Sequence, residues 1–346
     1  MKIAVIGANG NVGTELCYML KDNCEVIPIV RNKIGAVFLE HHGIKCRIGD
    51  ILNSETAKLV LKDVDVVVNA TWVSDRFTGS QTQGSKLINK TIIENSFKYT
   101  PKNSVIIYLS TIRAFANQVD PSTSKFWPPR YDVEKQFLEK IMKKNSSKYK
   151  KKGISFRCGH VFGEGQPNTR EIRKTLLQNK NLKIDVNSNS ASNILHIVTL
   201  KNAIFKCLEK GIKSDTYSLV NNPQWTWKEI YDYYNVNCVL KFERSIVKKN
   251  SINQKFFKFL KTKKKFLIPI LYNMPKKFEL RILMELSTRK FKSEINKLES
   301  EEKITNGNFG YIPIPGKQLP NLSKTIDLLK NYNNSIFKIG KNESQN

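Results

Sequence analysis

The first 165 residues alternate between two hydrophobic periods. Short apolar runs of strand length recur at "KIAVI" (residues 2–6), "EVIPIV" (25–30), "VDVVVNAT" (64–71), "SVIIYLST" (104–111) and within "GISFRCGHVFG" (153–163). A weaker run, "CRIGDILN" (46–53), predicts a third strand ending in Asp50. Between the runs lie stretches with apolar residues at helical spacing, such as "TELCYMLKDN" (14–23). A second is "PPRYDVEKQFLEK" (128–140): Val133, Phe137, Leu138 and Ile141 share one stripe, and Pro128 and Pro129 suit the start of a helix. "VDVVVNAT" is apolar at nearly every position instead of every second one, which fits a parallel strand buried on both faces. Strand and helix alternating in this way predict an α/β fold, a doubly wound parallel sheet with helices on both faces.

The alternation breaks after residue 165. It resumes in "NILHIVTLKNAIFKCLEKG" (193–211) and "DTYSLVNNPQWTWKEIYDYY" (215–234), so the chain is expected to return to the sheet at about 195–222. This predicts a first domain over residues 1–165 and a smaller C-terminal domain from 166–194 and 223–330. Residues 331–346 read as a frayed tail. No repeat of fixed period is present.

Composition changes the picture in one respect. The chain has 346 residues, 40% of them hydrophobic, enough for two domains and a substantial core. No apolar run approaches the ~20 residues that span a bilayer; the longest candidate, "FLIPILYNM" (266–274), is short and holds a proline. The opening "MKIAVIGANG" reads as strand and turn instead of a signal peptide. Six cysteines are scattered without a CxxC pair, which fits reduced thiols in a cytoplasmic protein, and no metal is called for. The net charge, however, is +28. From Arg244 to Ser300 there are 16 Lys or Arg against four Glu, interleaved with aromatics. Four readings fit this segment: a solvated charged face, cations that hold a substrate diphosphate, an interfacial segment on anionic membrane, or a nucleic-acid surface. The chain is also rich in Lys, Asn and Ile together, a bias that AT-rich coding produces without any functional demand.

The candidate chemistry begins at residue 7. "GANGNVG" (7–13) follows an apolar strand and precedes a helix, the context in which a glycine turn binds a dinucleotide. Gly7 permits the tight turn, Gly10 lets backbone approach a pyrophosphate, and Gly13 lets the helix pack close to the strand. The spacing is GxxGxxG instead of GxGxxG. Arg31 follows the second strand, where an acid would hold ribose hydroxyls; an arginine there can meet a 2′-phosphate and favours NADP over NAD. Asp50 is placed to contact the adenine amino group, and Asn69 and Ala70 end the fourth strand, at the sheet edge where ligands bind. Tyr131 and Lys135 lie one helical turn apart on one face. A lysine ammonium near a phenol favours the phenolate and brings a group that ordinarily titrates near pH ~10 toward useful acid–base work. Tyr272 and Lys276 repeat the spacing, but Pro275 between them spoils a helix.

"GANGNVG", "GDI", "NAT", "LST", "YDVEK" and "RCGHVFG", in this order, resemble the extended short-chain dehydrogenase/reductase family of nucleotide-sugar epimerases, dehydratases and keto reductases. The resemblance covers roughly residues 1–235 and implies a Rossmann-type sheet with a smaller C-terminal substrate domain. It implies Tyr131 and Lys135 as the catalytic pair with Thr111 as third member, Ser110 sharing its work. It also implies cofactor contacts from Gly7, Asn9, Gly10, Asn11, Val12, Gly13, Arg31, Asp50, Ile51, Asn69, Ala70, Ser110, Tyr131 and Lys135. Family dehydratases carry an Asp-Glu pair directly after the threonine; Ile112 and Arg113 stand here, so dehydration by that route is not expected. His160 occupies a position where the family often has a substrate-binding Asn, and with Arg113 it is the candidate on the substrate side. Family members often form homodimers through the helices next to the tyrosine.

The leading expectation is an NADP-dependent oxidoreductase or epimerase, NAD remaining an alternative, that acts on a nucleotide-activated sugar. A second keeps the chemistry but takes a lipid or isoprenoid substrate at a membrane surface. A third is a non-catalytic NADP-sensing or RNA-binding protein on the same scaffold; the intact Thr111, Tyr131 and Lys135 argue against it.

Overall fold

The computed structural model describes residues 1–74, 83–115, 131–184, 188–189, 192–210, 212–221, 224–235, 237–243 and 317–318. The basic segment 244–300, the tail 331–346, the Tyr272/Lys276 pair, Pro128 and Pro129 lie outside the described residues, as does the side chain of Arg113.

The chain runs β1 (Lys2–Ile6), α1 (Asn11–Leu20), β2 (Glu25–Val30), α2 (Lys33–His41), β3 (Arg47–Ile48), α3 (Ser54–Leu61), β4 (Val66–Asn69), α4 (Gln83–Tyr99) and β5 (Val105–Thr111). A 3-10 turn (Ile112–Phe115) follows, then α5 (Tyr131–Tyr149), β6 (Lys152–Cys158), β7 (His160–Phe162), α6 (Pro167–Gln178), β8 (Asn181–Ile184), β9 (Ile194–His196) and α7 (Ile197–Lys206). The remaining described elements are β10 (Thr216–Leu219), α8 (Trp227–Tyr234), β11 (Val239–Phe242) and β12 (Lys317–Gln318). Among the described residues, eight strands form one sheet in the order β12-β10-β6-β5-β4-β1-β2-β3, every pairing parallel. The order reverses between β1 and β4, the topological switch point of a doubly wound fold.

The sheet is buried on both faces because its strands are apolar at both parities. Ile3 and Val5, Val66 and Val68, Ile107 and Leu109 meet Leu16, Leu20, Leu39, Leu200 and Ile204 of α1, α2 and α7. Ala4 and Ile6, Val67, Ile106 and Tyr108 meet Leu61, Ile93, Phe97, Leu138 and Met142 of α3, α4 and α5. Burying one such side chain contributes on the order of 1.5–3 kcal/mol. Local chemistry sets the helix ends. Asn32 and Asn53 cap α2 and α3 through their side chains. Buried Lys151 closes α4 from outside, its ammonium donating to the carbonyls of Phe97 and Thr100.

Three boundaries differ from the sequence pattern. The first helix begins at Asn11, three residues before the expected 14–23, so Gly13 lies inside it. The third strand is only Arg47–Ile48, and Asp50 falls beyond it, where its carboxylate accepts the Leu52 N–H in the turn that leads to the Asn53 cap of α3. The "GHVFG" end of the sixth run is a separate short strand, β7, which leaves the main sheet to pair with β9. The return to the sheet is made by β10, which lies beside β6. A separate apolar cluster, Phe162, Ile172, Leu176, Ile194, Ile230, Tyr234 and Cys238, gathers α6, β9 and α8 away from the sheet.

Candidate active site

Gly7, Asn69 and Thr111 stand at or just beyond the carboxyl ends of β1, β4 and β5. At the end of β1, Gly7 has φ +80°, a left-handed conformation that only glycine adopts without strain. A Cβ on Gly13 would overlap the Gly7 carbonyl, so α1 approaches β1 only because that position is bare. Gly10 precedes α1 without a side-chain cap, and the first turn holds no acid. The uncapped amides and positive end of the helix dipole therefore suit an anion, and the cradle fits a dinucleotide pyrophosphate. Asn9 and Asn11 are exposed on this turn beside half-buried Val12. Asn11 is also tied to the residue that precedes α6: its carbonyl accepts from Gln166 Nε2 at 3.0 Å, and Gln166 donates to buried Glu15 at 2.6 Å.

Arg31 is exposed beyond β2. The Asp50 carboxylate accepts the Leu52 N–H at 2.9 Å and so holds the turn into α3. Ile51 is 4% exposed and packs in the core on the α3–α4–α5 face. At the end of β4 the buried Asn69 side chain accepts from the Thr71 N–H at 3.0 Å and its hydroxyl at 2.6 Å. Two residues on, Val73 is held by the Asn89 amide on both sides, N–H to Oδ1 at 3.0 Å and Nδ2 to carbonyl at 2.8 Å. Half-buried Ala70 and Trp72 ride on this pinned strap.

Tyr131 opens α5, and Lys135 lies one turn further. Lys135 is 3% exposed, its ammonium donating to the Leu109 carbonyl at 2.8 Å. Three rings surround it: Trp72, Tyr108 and Tyr131, with centroids 4.7, 4.8 and 5.7 Å from Nζ. Trp72 stands edge-on to Tyr131, centroids 4.7 Å apart. Burial pushes the Lys135 amine down to about 7, against weaker opposing pulls from Cys158 and Glu139. Thr111 ends β5 at 8% exposure. The Ser110 hydroxyl beside it points elsewhere, donating to Glu139 Oε1 at 2.6 Å. Glu139 is also held by Arg157 of β6, through Nε at 3.0 Å and Nη2 at 2.8 Å.

A model of the NAD dependent epimerase/dehydratase family matches residues 3–219. The chain belongs to this family. It is an NAD(P)-dependent enzyme of the extended short-chain dehydrogenase/reductase type. Solved structures share the fold of this epimerase/dehydratase relative at low identity. The UDP-N-acetylglucosamine 4-epimerase from Bacillus cereus is 20% identical, with 71% of this chain and 86% of that one covered and a TM-score of 0.52. The UDP-glucuronic acid 4-epimerase from Bacillus cereus, in complex with UDP-glucuronic acid and NAD, is 19% identical over 71% and 87%, at 0.53. The dTDP-glucose 4,6-dehydratase from Bacillus anthracis, in complex with NAD, is 20% identical over 71% and 85%, at 0.53. No curated protein matches the chain by sequence.

Within the family frame, the structure brings Thr111, Tyr131 and Lys135 to one edge together with the glycine turn. His160 is exposed at the start of β7. Ile112 is buried against Val220. Sequence reasoning missed Trp72, Tyr108, Glu139 and Arg157. One cue was available for Glu139: it lies four residues after Lys135 and eight after Tyr131, on the same helix face. Trp72 carried no cue, because an aromatic just past a strand reads as core.

Proposed function

We propose that this protein is an oxidoreductase or epimerase of a nucleotide-activated sugar, working through Thr111, Tyr131 and Lys135. The observation that carries the reading is the placement of Tyr131 and Lys135, at the head of α5, on the carboxyl edge that also holds the uncapped glycine turn. The nucleotide of the cofactor would be held by Gly7, Gly10, Gly13 and the first-turn amides of α1, with Arg31 at the adenosine end favouring a 2′-phosphate. Bound NAD(P) supplies the hydride acceptor or donor. Tyr131 exchanges a proton with the reacting oxygen of the sugar, and Thr111 donates a hydrogen bond to that oxygen. Lys135, when cationic, stabilises the Tyr131 phenolate. Ile112, packed against Val220, offers no acid or base for loss of water.

The substrate side is proposed to lie toward α6, β8, α8 and β11, with His160 and Arg113 at its border. Arg170 of α6 reaches Asn11 Oδ1 at 3.4 Å, which brings a cation beside the dinucleotide turn. The basic segment after residue 244 adds charge that suits a diphosphate. A homodimer through α4 and α5 would cover Leu87, 60% exposed on α4. A cytoplasmic location fits the six free cysteines; no described helix is long and apolar enough to cross a membrane.

The test is incubation with NADP(H) or NAD(H) and a panel of UDP- and dTDP-sugars, with Tyr131→Phe as control. Epimer formation or nicotinamide turnover that disappears in the variant supports the reading. Turnover that persists in Tyr131→Phe would remove the tyrosine from the chemistry.

A further inference from the structure

The strap from Asn69 to Val73 is fastened at both ends, and what it presents is one indole. Asn69 holds Thr71 through two hydrogen bonds and Asn89 holds Val73 through two more. Trp72, between them, meets Tyr131 edge-on at 4.7 Å and covers the Lys135 ammonium at 4.7 Å. An indole is the strongest of the aromatic faces for a cation, and an edge-to-face pair has a defined orientation. We propose that Trp72 is a positioning residue for the Tyr131–Lys135 pair: the strap holds the indole so that it fixes the phenol's orientation and keeps water from the lysine. This rests on the reading of Tyr131 and Lys135 as the reacting pair.

The surroundings of Lys135 show why its shield matters. Tyr131 and Glu139 face it from α5, Tyr108 from β5 and Cys158 from β6. The one carboxylate among them, Glu139, is engaged by Ser110 and Arg157. Among the described residues Lys135 therefore has a carbonyl and rings as its direct partners, while Glu139 and Cys158 favour its ammonium more weakly than burial opposes it. Burial is the largest influence on its titration. Removing the indole admits water and favours the ammonium; the lost cation–π attraction acts the other way and is smaller.

The experiment is a titration of Lys135 in the full chain by carbon NMR of labelled lysine, assigned with Lys135→Met and run without ligand. Trp72→Ala is expected to move the Lys135 midpoint upward by about one pH unit or more, and Trp72→Phe to leave it near the wild-type value. The acid limb of the kcat/KM profile should move with the midpoint, which a merely structural residue would not do. Asn89→Ala, which releases the strap and keeps the indole, is expected to give a smaller shift in the same direction and serves if Trp72→Ala does not fold. An unchanged midpoint in folded Trp72→Ala or Asn89→Ala overturns the proposal. The titration needs neither cofactor nor substrate. A shifted midpoint in a protein that binds no nicotinamide nucleotide would keep the positioning role and sink the proposed function; an unshifted midpoint in an active enzyme would do the reverse.

Discussion

Lys135 and Glu139, one turn apart on α5, are both buried, and their treatment differs. Glu139 is paired, its side chain 7% exposed and gripped by Arg157 and Ser110. Lys135 is left with a carbonyl and rings. The pairing of Glu139 holds α5 against β5 and β6 below the reacting groups. Its removal should be felt as stability: Glu139→Ala is expected to cost about 3–5 kcal/mol by taking its carboxylate from half-buried Arg157 and its acceptor from the buried Ser110 hydroxyl. Urea unfolding checks this, and a loss under about 1 kcal/mol would mean the pair is solvated. Tyr131→Phe should behave in the opposite way. It is expected to leave the unfolding midpoint nearly unchanged while turnover falls by about 10²–10⁴-fold, the usual contribution of a positioned acid or base. At this scale the sequence was readable where spacing alone carries meaning, as for Tyr131 and Lys135. For Glu139 the spacing gave the face but not the burial, because a charged residue on an amphipathic helix reads as solvent-facing until a partner on another strand is known.

At the scale of elements, two helix starts can be tested separately, one at the site and one in the core. The first is α1, whose first turn contains Gly13. Gly13→Ala is expected to push α1 from the Gly7 carbonyl and to weaken nicotinamide-nucleotide binding at least ~10-fold, an amount worth about 1.4 kcal/mol; unchanged affinity by titration would mean the turn does not hold the pyrophosphate. The second is α7, capped by His196, whose Nδ1 accepts the Val198 N–H at 3.4 Å. That bond needs the neutral imidazole, and burial pushes the histidine down to about 3. Between about pH 6.5 and 3 the unfolded chain therefore holds the extra proton, so this histidine makes stability fall as the pH is lowered through that window. His196→Asn keeps a capping oxygen and removes the titration. Its unfolding free energy should depend less on pH between 7 and 4, as denaturant titrations at several pH values would show; parallel curves for the two proteins would exclude His196. The apolar runs announced the main strands, but β7 was hidden. Its partner β9 comes only after α6 and β8, and three residues do not display a period of their own.

For the whole molecule, the informative regularity is where the strands end. Parallel pairing throughout the sheet brings every carboxyl end to one edge, so residues from 7 to 135 that are far apart in sequence share it. The expected order of strand, glycine turn and helix made that edge legible in the sequence. Which side chains face inward from it was not legible, since Ile51 and Ser110 look like edge residues yet one packs in the core and the other bonds to Glu139. The most direct test of the account is a fluorescence titration of the purified chain with NADPH and NADH, for wild type and Arg31→Ala. Saturable binding of both nucleotides is expected, tighter for NADPH, with that preference lost in Arg31→Ala while NADH binding persists. Failure of the wild-type protein to bind either nucleotide would contradict it.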